Sequence, residues 1–253
     1  MRPNPLKQKL LSGGSSYGLF AFEFYTPGLP QIAREAGAEF ILYDMEHSGY
    51  GIDTIKQQLA YCRGLDITPF VRVPAGEYHF IARVLDAGAL GIMVPMVESA
   101  EQVRNIVKWT RYPPAGRRGA VLGAAHDDYT GGSIPDKLAA ANERCFVMLQ
   151  IETEVGVGNV EEIAAVAGVD SLWIGFLDLS SFLGVAGEVR HPKYLDAVDR
   201  IAAAASRHGR VLGTAAPNEV FAKEYVGRGF RMISFGTDVG LLQAALSARI
   251  KAM

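Results

Sequence analysis

The chain has 253 residues, 49% of them hydrophobic and 21% charged, with a formal net charge of −2 and a pI near 6.2. That length supports one large core or two modest ones, and the near-balanced charge excludes a general attraction to nucleic acid or to anionic membranes. Cys62 and Cys145 stand far apart and form no CxxC or Cys/His spacing, so neither a disulfide framework nor a structural zinc is expected. A reducing cytoplasm is the expected compartment. Met1 to Gly14 carries Lys and Arg without the apolar core of a signal peptide, and no run approaches the length of a membrane span.

Eight apolar, strand-like runs follow one another along the chain: about Tyr17 to Phe24, Glu39 to Met45, Ile67 to Val73, Leu90 to Pro95, Cys145 to Ile151, Ser171 to Phe176, Arg210 to Ala215 and Arg231 to Phe235. Helical stretches with apolar residues at three- and four-residue spacing come between and after them. These include Ile52 to Arg63, Glu77 to Asp86, Ala100 to Thr110, Glu154 to Val166, Lys193 to Arg207 and Val239 to Ala252. Gly37, Gly88, Gly168, Gly209 and Gly229 fall where helices should stop before the next strand. Eight alternating units predict one α/β domain over residues 1–253, a (β/α)8 TIM barrel, with an open doubly wound sheet as the alternative. The stretch from Arg111 to about Pro135 fits neither element. It lies after a helix and before a strand, hence at the lower face of its own barrel, and a loop of that length is expected to be functional or packed at an interface.

Residues just beyond the strand runs form a polar set that a barrel would gather at one mouth: Asp44, Glu46 and His47, then Arg72, then Gln150 and Glu152, then Asp178. Glu152 and Asp178 offer hard oxygen ligands suited to Mg²⁺ or Mn²⁺, leaving positions for water and a bidentate 2-oxo acid. Either acid could instead cap the helix that follows, and their equivalent placement at two strand ends decides for the metal. Asp44 stands three residues before His47 and could orient its ring, which has the pKa range of a base at neutral pH. Arg72 is a charge inside an apolar strand and needs a partner, either an ion pair or a substrate. Gly156-Val157-Gly158 lacks the third glycine of a dinucleotide fingerprint, and no Walker loop or GxSxG elbow occurs. No lysine lies within the strand runs, which argues against Schiff-base catalysis.

Taken together these residues resemble the HpcH/HpaI family of class II pyruvate aldolases, which includes the 4-hydroxy-2-oxoheptanedioate and 2-dehydro-3-deoxyglucarate aldolases. The resemblance runs over most of the chain. It is carried by Asp44-Met45-Glu46-His47, Arg72, Leu85-Asp86-Ala87-Gly88, Val94-Pro95-Met96-Val97-Glu98, Arg111-Tyr112-Pro113-Pro114, Gln150-Ile151-Glu152-Thr153 and Gly175-Phe176-Leu177-Asp178-Leu179-Ser180. The resemblance implies that Glu152 and Asp178 bind a divalent metal (Mg²⁺, Mn²⁺ or Co²⁺) and that Arg72 holds the 2-oxo oxygen as it becomes an enolate. By the same resemblance His47, oriented by Asp44, works with a metal-bound water as acid and base, and Gln150 lines the site. The backbone around Gly175, Leu177 and Asp178 is implied to hold the substrate carboxylate. It further implies a homohexamer in which Asp86 reaches a neighbour's active site.

Two departures stand out. Phe176 and Leu177 replace the family's usual proline and alanine, which implies a different pocket shape. The family's Arg-Ala-x-x-Tyr pattern appears as His126-Asp127-Asp128-Tyr129, so an arginine for an acceptor's distal charge is missing and two acids are expected near the acceptor. The function expected is a metal-dependent aldolase joining pyruvate, or a related 2-oxo acid such as hydroxypyruvate, to an aldehyde. The rivals are a CoA-thioester lyase or oxaloacetate decarboxylase using the same enolate, and a non-catalytic 2-oxo-acid binding protein. No Lys/Arg cluster clearly provides for the phosphates of CoA.

Overall fold

The computed structural model describes residues 1–253. In it, a helix α1 (Pro5–Leu11) precedes eight strands and the helices between them: β1 (Ser16–Ala21), α2 (Leu29–Glu35), β2 (Phe40–Asp44), α3 (Ile52–Tyr61), β3 (Thr68–Arg72), α4 (Tyr78–Asp86), β4 (Gly91–Val94) and α5 (Ala100–Thr110). The second half runs α6 (Ile134–Arg144), β5 (Phe146–Ile151), α7 (Glu154–Gly158), α8 (Val160–Ala165), β6 (Ser171–Ile174), α9 (Phe176–Phe182), α10 (Pro192–Arg207), β7 (Val211–Ala216), α11 (Glu219–Gly227), β8 (Met232–Thr237) and α12 (Asp238–Lys251). The strands pair in parallel, each with the next, and β8 returns to β1. The barrel is therefore closed, and the open doubly wound alternative is excluded.

Strand periodicity explains how such apolar runs can be buried on both faces. Along β2, Phe40 and Leu42 point into the barrel while Ile41 and Tyr43 pack outward under the helices, and β5 repeats this with Phe146 and Met148 against Val147 and Leu149. The inner core is small and wide-bodied, with Phe20, Phe70, Met93 and Trp173 beside those residues. Three strand glycines make that possible. Gly18 lies in register with Phe40, Gly91 with Phe146 and Gly213 with Trp173, and a Cβ on any of them would overlap that neighbour. Small residues beside large ones let the barrel interior fill without a void.

Helix α1, which the periodicity reading did not anticipate, contributes Leu6 and Leu10 to the inner core and so plugs the lower end of the barrel. Its start is nonetheless written in Asn4-Pro5: the Asn4 side chain accepts from Lys7 N at 3.1 Å and proline takes the first helical position. The helix expected from Glu154 to Val166 is broken at Asn159 into α7 and α8, next to the weak helix formers Gly156 and Gly158. At the other terminus, α12 leaves the barrel wall. Only Asp238 of it is buried, while Leu241, Leu242, Leu246 and Ile250 are exposed. The wall beside it keeps a groove of about 290 Å³ lined by Tyr17, Ala222, Val226 and Phe235 among others. No helix is long and apolar enough to cross a membrane, and both cysteines are buried and unpaired.

The glycine positions carry a measurable consequence. Gly213→Ala should cost about 1–3 kcal/mol, as overpacking of a filled core does, and lower the melting temperature by about 2–4 °C per kcal/mol. Thermal melts followed by circular dichroism would check it; an unchanged midpoint would mean that the barrel interior is not tightly filled there.

Candidate active site

The inward parity that fills the barrel with aromatic side chains also builds its upper rim. Continuing each inward series by two residues gives Asp44 after Leu42, Arg72 after Phe70, Gln150 after Met148 and Gly175 after Trp173. Register sets Asp44 opposite Arg72 and Gln150 opposite Trp173, so this rim layer is stepped from strand to strand. The strand C-termini of such a barrel are where its chemistry resides.

Arg72 is the centre of that layer. Its guanidinium is almost fully buried, donates from Nε to Asp44 Oδ1 at 2.6 Å and lies 3.1 Å through Nη1 from Glu46 Oε2. The Phe20 and Phe22 rings cover it, with centroids 4.6 and 5.4 Å from Cζ. Nη2 is buried and has no partner in the protein. A buried donor left unpaired is costly, so the site is built to receive an acceptor atom there.

Asp44 corrects one expectation. Its second oxygen accepts from the backbone N–H of His47 at 2.8 Å, while its first also accepts from Glu46 N at 3.2 Å. It fixes the loop and Arg72, not the imidazole. The carboxylate that faces the His47 ring is Glu46, whose Oε2 lies 3.6 Å from Nε2. His47 itself is half exposed at the mouth. Glu46 was gathered from the sequence without a role, and its position between Arg72 and His47 gives it one.

On the opposite side of the rim, Glu152 is buried at the end of β5. Oε1 accepts from Met96 N at 2.8 Å and Oε2 from Gln150 Nε2. Met96 reaches that position only with a positive φ of 53°, a strained choice for a side-chain-bearing residue and one found at functional sites. Gly175 matters for a different reason: a Cβ there would overlap Glu152 Oε2, so glycine lets the β6 end approach without displacing that carboxylate. Burial raises the Glu152 carboxyl against the opposing bonds from Gln150 and Met96, and the carboxylates of Glu46 and Asp178 add to the rise. Burial raises Glu46 as well, against the pull of Arg72.

Neither acid is a helix cap. Thr153 caps α7 through its own side chain, and Asp178 is the third residue inside α9, whose cap Gly175 makes no side-chain bond. Gln150 Oε1 is another buried polar atom without a partner. Three carboxylates thus influence one another at a rim with orphaned polar atoms and no cation beyond Arg72. That donor set fits a divalent metal held by Glu152 and Asp178. No group of three or more His, Cys, Asp or Glu forms a closed cage, and an open two-carboxylate site is what Mg²⁺-type ions use.

Asp86 is not brought to this rim. It ends α4 at the lower face, where Arg118 Nη2 meets it at 2.5 Å and the Tyr112 ring stacks on Arg118. The acids expected near an acceptor are also at that face and already neutralised. Asp127 is buried, bonded to Lys137 Nζ at 2.7 Å and to the backbone of Gly123 and Ala124; Asp128 faces Arg2 and Arg63. His126 is buried against Tyr112, its Nε2 3.2 Å from the phenolic oxygen. Within the stretch after α5, Ala125–Asp127 forms a buried 3₁₀ turn while Val121 and Tyr129 are exposed, and Asp127 and Asp128 are answered by cations at the lower face of their own barrel.

Residues 17–245 match the HpcH/HpaI aldolase/citrate lyase family. The chain belongs to that family and is an enzyme, a carbon–carbon lyase. It is 35% identical over 243 residues to a 5-keto-4-deoxy-D-glucarate aldolase of Klebsiella pneumoniae, covering 96% of this chain and 94% of that one. Among solved structures, the HpcH/HpaI aldolase of Desulfitobacterium hafniense superposes with a TM-score of 0.93 at 33% identity, over 98% and 95% of the two chains. The citrate synthase SbnG does so at 0.86 with 30% identity, over 98% and 96%.

The two ends of the Asp44-to-His47 loop should respond differently to truncation. Asp44→Ala leaves a buried guanidinium short of its partner and should cost on the order of 3 kcal/mol in chemical denaturation. His47→Ala, at a half-exposed ring, should stay within about 0.5 kcal/mol of the parent. Equal losses would show that the ion pair does not anchor the loop.

Proposed function

We propose that this protein is a metal-dependent class II aldolase that reversibly joins pyruvate, or a related 2-oxo acid such as hydroxypyruvate, to an aldehyde through an enolate. The observation that carries the reading is Arg72: a guanidinium pinned by Asp44 and Glu46 with one buried N–H edge left free, across the rim from two acids that cap nothing. A positive edge held rigid before reaction stabilises charge that develops on an oxygen, the term that usually dominates such catalysis. Glu152 and Asp178 are the residues that would hold Mg²⁺, Mn²⁺ or Co²⁺, which supplies Lewis-acid stabilisation of the same developing charge.

In this reading Arg72 Nη2 donates to the 2-oxo oxygen, and His47 takes the hydroxyl proton of the aldol in cleavage and returns it in addition. Glu46 faces the ring, with Oε2 3.6 Å from Nε2. Asp44 acts as a positioning residue for Arg72 and for the His47 backbone. Gln150 lines the site and steadies Glu152, and the backbone of Gly175, Leu177 and Asp178 is assigned to the substrate carboxylate by family resemblance. Asp86 keeps its proposed role towards a neighbour, consistent with its distance from the rim of its own chain. A homohexamer rests on that resemblance, and it is supported by the uncovered apolar face of α12 and the uncovered groove on the barrel wall. A single domain in the cytoplasm completes the proposal. Cations for CoA phosphates are lacking at the mouth, which disfavours the thioester reading.

Chelation should abolish pyruvate-dependent aldol addition, and Mg²⁺, Mn²⁺ or Co²⁺ should restore it. Full activity after metal removal would sink the mechanism. A second assay separates the two central side chains. Oxaloacetate decarboxylation reaches the enolate without removing a hydroxyl proton, so His47→Ala should lose aldolase activity by about 10²-fold or more yet keep appreciable decarboxylation. Arg72→Ala should damage both, by roughly 3 kcal/mol of lost stabilisation. If His47→Ala lost both equally, or Arg72→Ala spared decarboxylation, the assigned roles would be wrong.

A further inference from the structure

We infer that the acceptor this enzyme takes is an uncharged aldehyde with an apolar or simple polar chain, unlike the dicarboxylate in the names of its relatives. The inference rests on the aldolase reading and narrows it. A carboxylate on the acceptor needs a cation beside the site, and the upper face supplies none. The segments between each strand and the helix that follows it contain no lysine. Across the insert from Gly175 to His191 before α10 there is one arginine, Arg190, and it pairs with Glu224 at 2.9 Å. Arg72 is already divided between Asp44, Glu46 and the donor's oxygen. The acids Glu23, Glu46, Glu77 and Glu98 lie in the same set of loops, so the local field opposes a second negative charge.

Exposed apolar side chains stand near both metal-side acids. Met96, whose N–H holds Glu152, is 40% exposed; Val155, in the first turn after Glu152, is 54% exposed; Leu177, the neighbour of Asp178, is 59% exposed. Exposed apolar side chains next to the carboxylates of Glu152 and Asp178 make a surface that a hydrocarbon or ester chain covers and a carboxylate does not. The lower-face segment offers little to a neighbouring subunit's mouth either. Arg118 is committed to Asp86 and Arg111 is buried, which leaves Arg117 as its exposed cation.

The test compares succinic semialdehyde with its methyl ester, two acceptors of nearly the same shape that differ by one charge. Metal-reloaded enzyme would be assayed with pyruvate as donor, and oxaloacetate decarboxylation run in parallel. The ester should be favoured at least tenfold in kcat/KM, and the ratio should shrink as salt screens the acidic face. Val155→Arg should narrow the ratio several-fold. A semialdehyde preference overturns the inference, and its loss in Arg117→Ala would trace the missing cation to a neighbour. A ratio unmoved by both salt and Val155→Arg would overturn the electrostatic basis. Failure of decarboxylation together with both additions would instead overturn the aldolase reading itself.

Discussion

The site depends on one buried charge. Arg72 sits in the uppermost inward layer of a barrel whose lower layers are phenylalanine, methionine and tryptophan, and such a guanidinium is tolerated only if its N–H groups are met. Asp44 from the adjacent strand and Glu46 from the loop above meet two sides of it, and two aromatic rings cover its face. Those contacts fix the Asp44-to-His47 loop, and with it the half-exposed imidazole. What they do not meet is Nη2. Holding that edge unpaired costs stability, and in the proposed mechanism that edge meets an oxygen that becomes negative.

The same division runs through the two ends of the barrel. At the lower end the carboxylates Asp127 and Asp86 have answers: α1 seals the core, Asp127 is met by Lys137 and two backbone amides, and Asp86 is met by Arg118. Carboxylates there are spent on stability. At the upper end the acids are left short. Glu152 has two donors but lies within reach of two other carboxylates, and Asp178 occupies a helix position without capping it. Identical chemical groups thus serve opposite ends because the surrounding donors differ.

Much of this was legible in the sequence because strand parity is strict. Eight apolar runs of the right spacing gave the barrel, and counting two residues beyond Leu42, Phe70 and Met148 leads to Asp44, Arg72 and Gln150 without any structure. The partner of each side chain was not legible. Asp44 and His47 are three residues apart, which suits either a ring bond or a turn-like bond to the backbone, and only the path of the loop decides for the backbone. The need for Gly175 and the positive φ of Met96 depend on where Glu152 lies in space, which no local pattern encodes. Helix α1 was missed because its two buried leucines make too short a stripe for periodicity to register, although Asn4-Pro5 announces its start.

Loop composition then decides what a shared fold can accept. In the proposed mechanism the 2-oxo acid is handled by Arg72, Gln150, Glu152 and Asp178, which all lie at strand ends or directly after them, where the barrel fixes geometry. On the same proposal the acceptor would be met farther out, by exposed side chains such as Met96, Val155 and Leu177. A carboxylate-bearing acceptor would need a cation supplied by those outer positions, since the one arginine of the inner layer is already committed. The proposed donor chemistry is therefore compatible with an acceptor other than that of the relatives, because the two halves of the substrate would be read by different layers of the molecule.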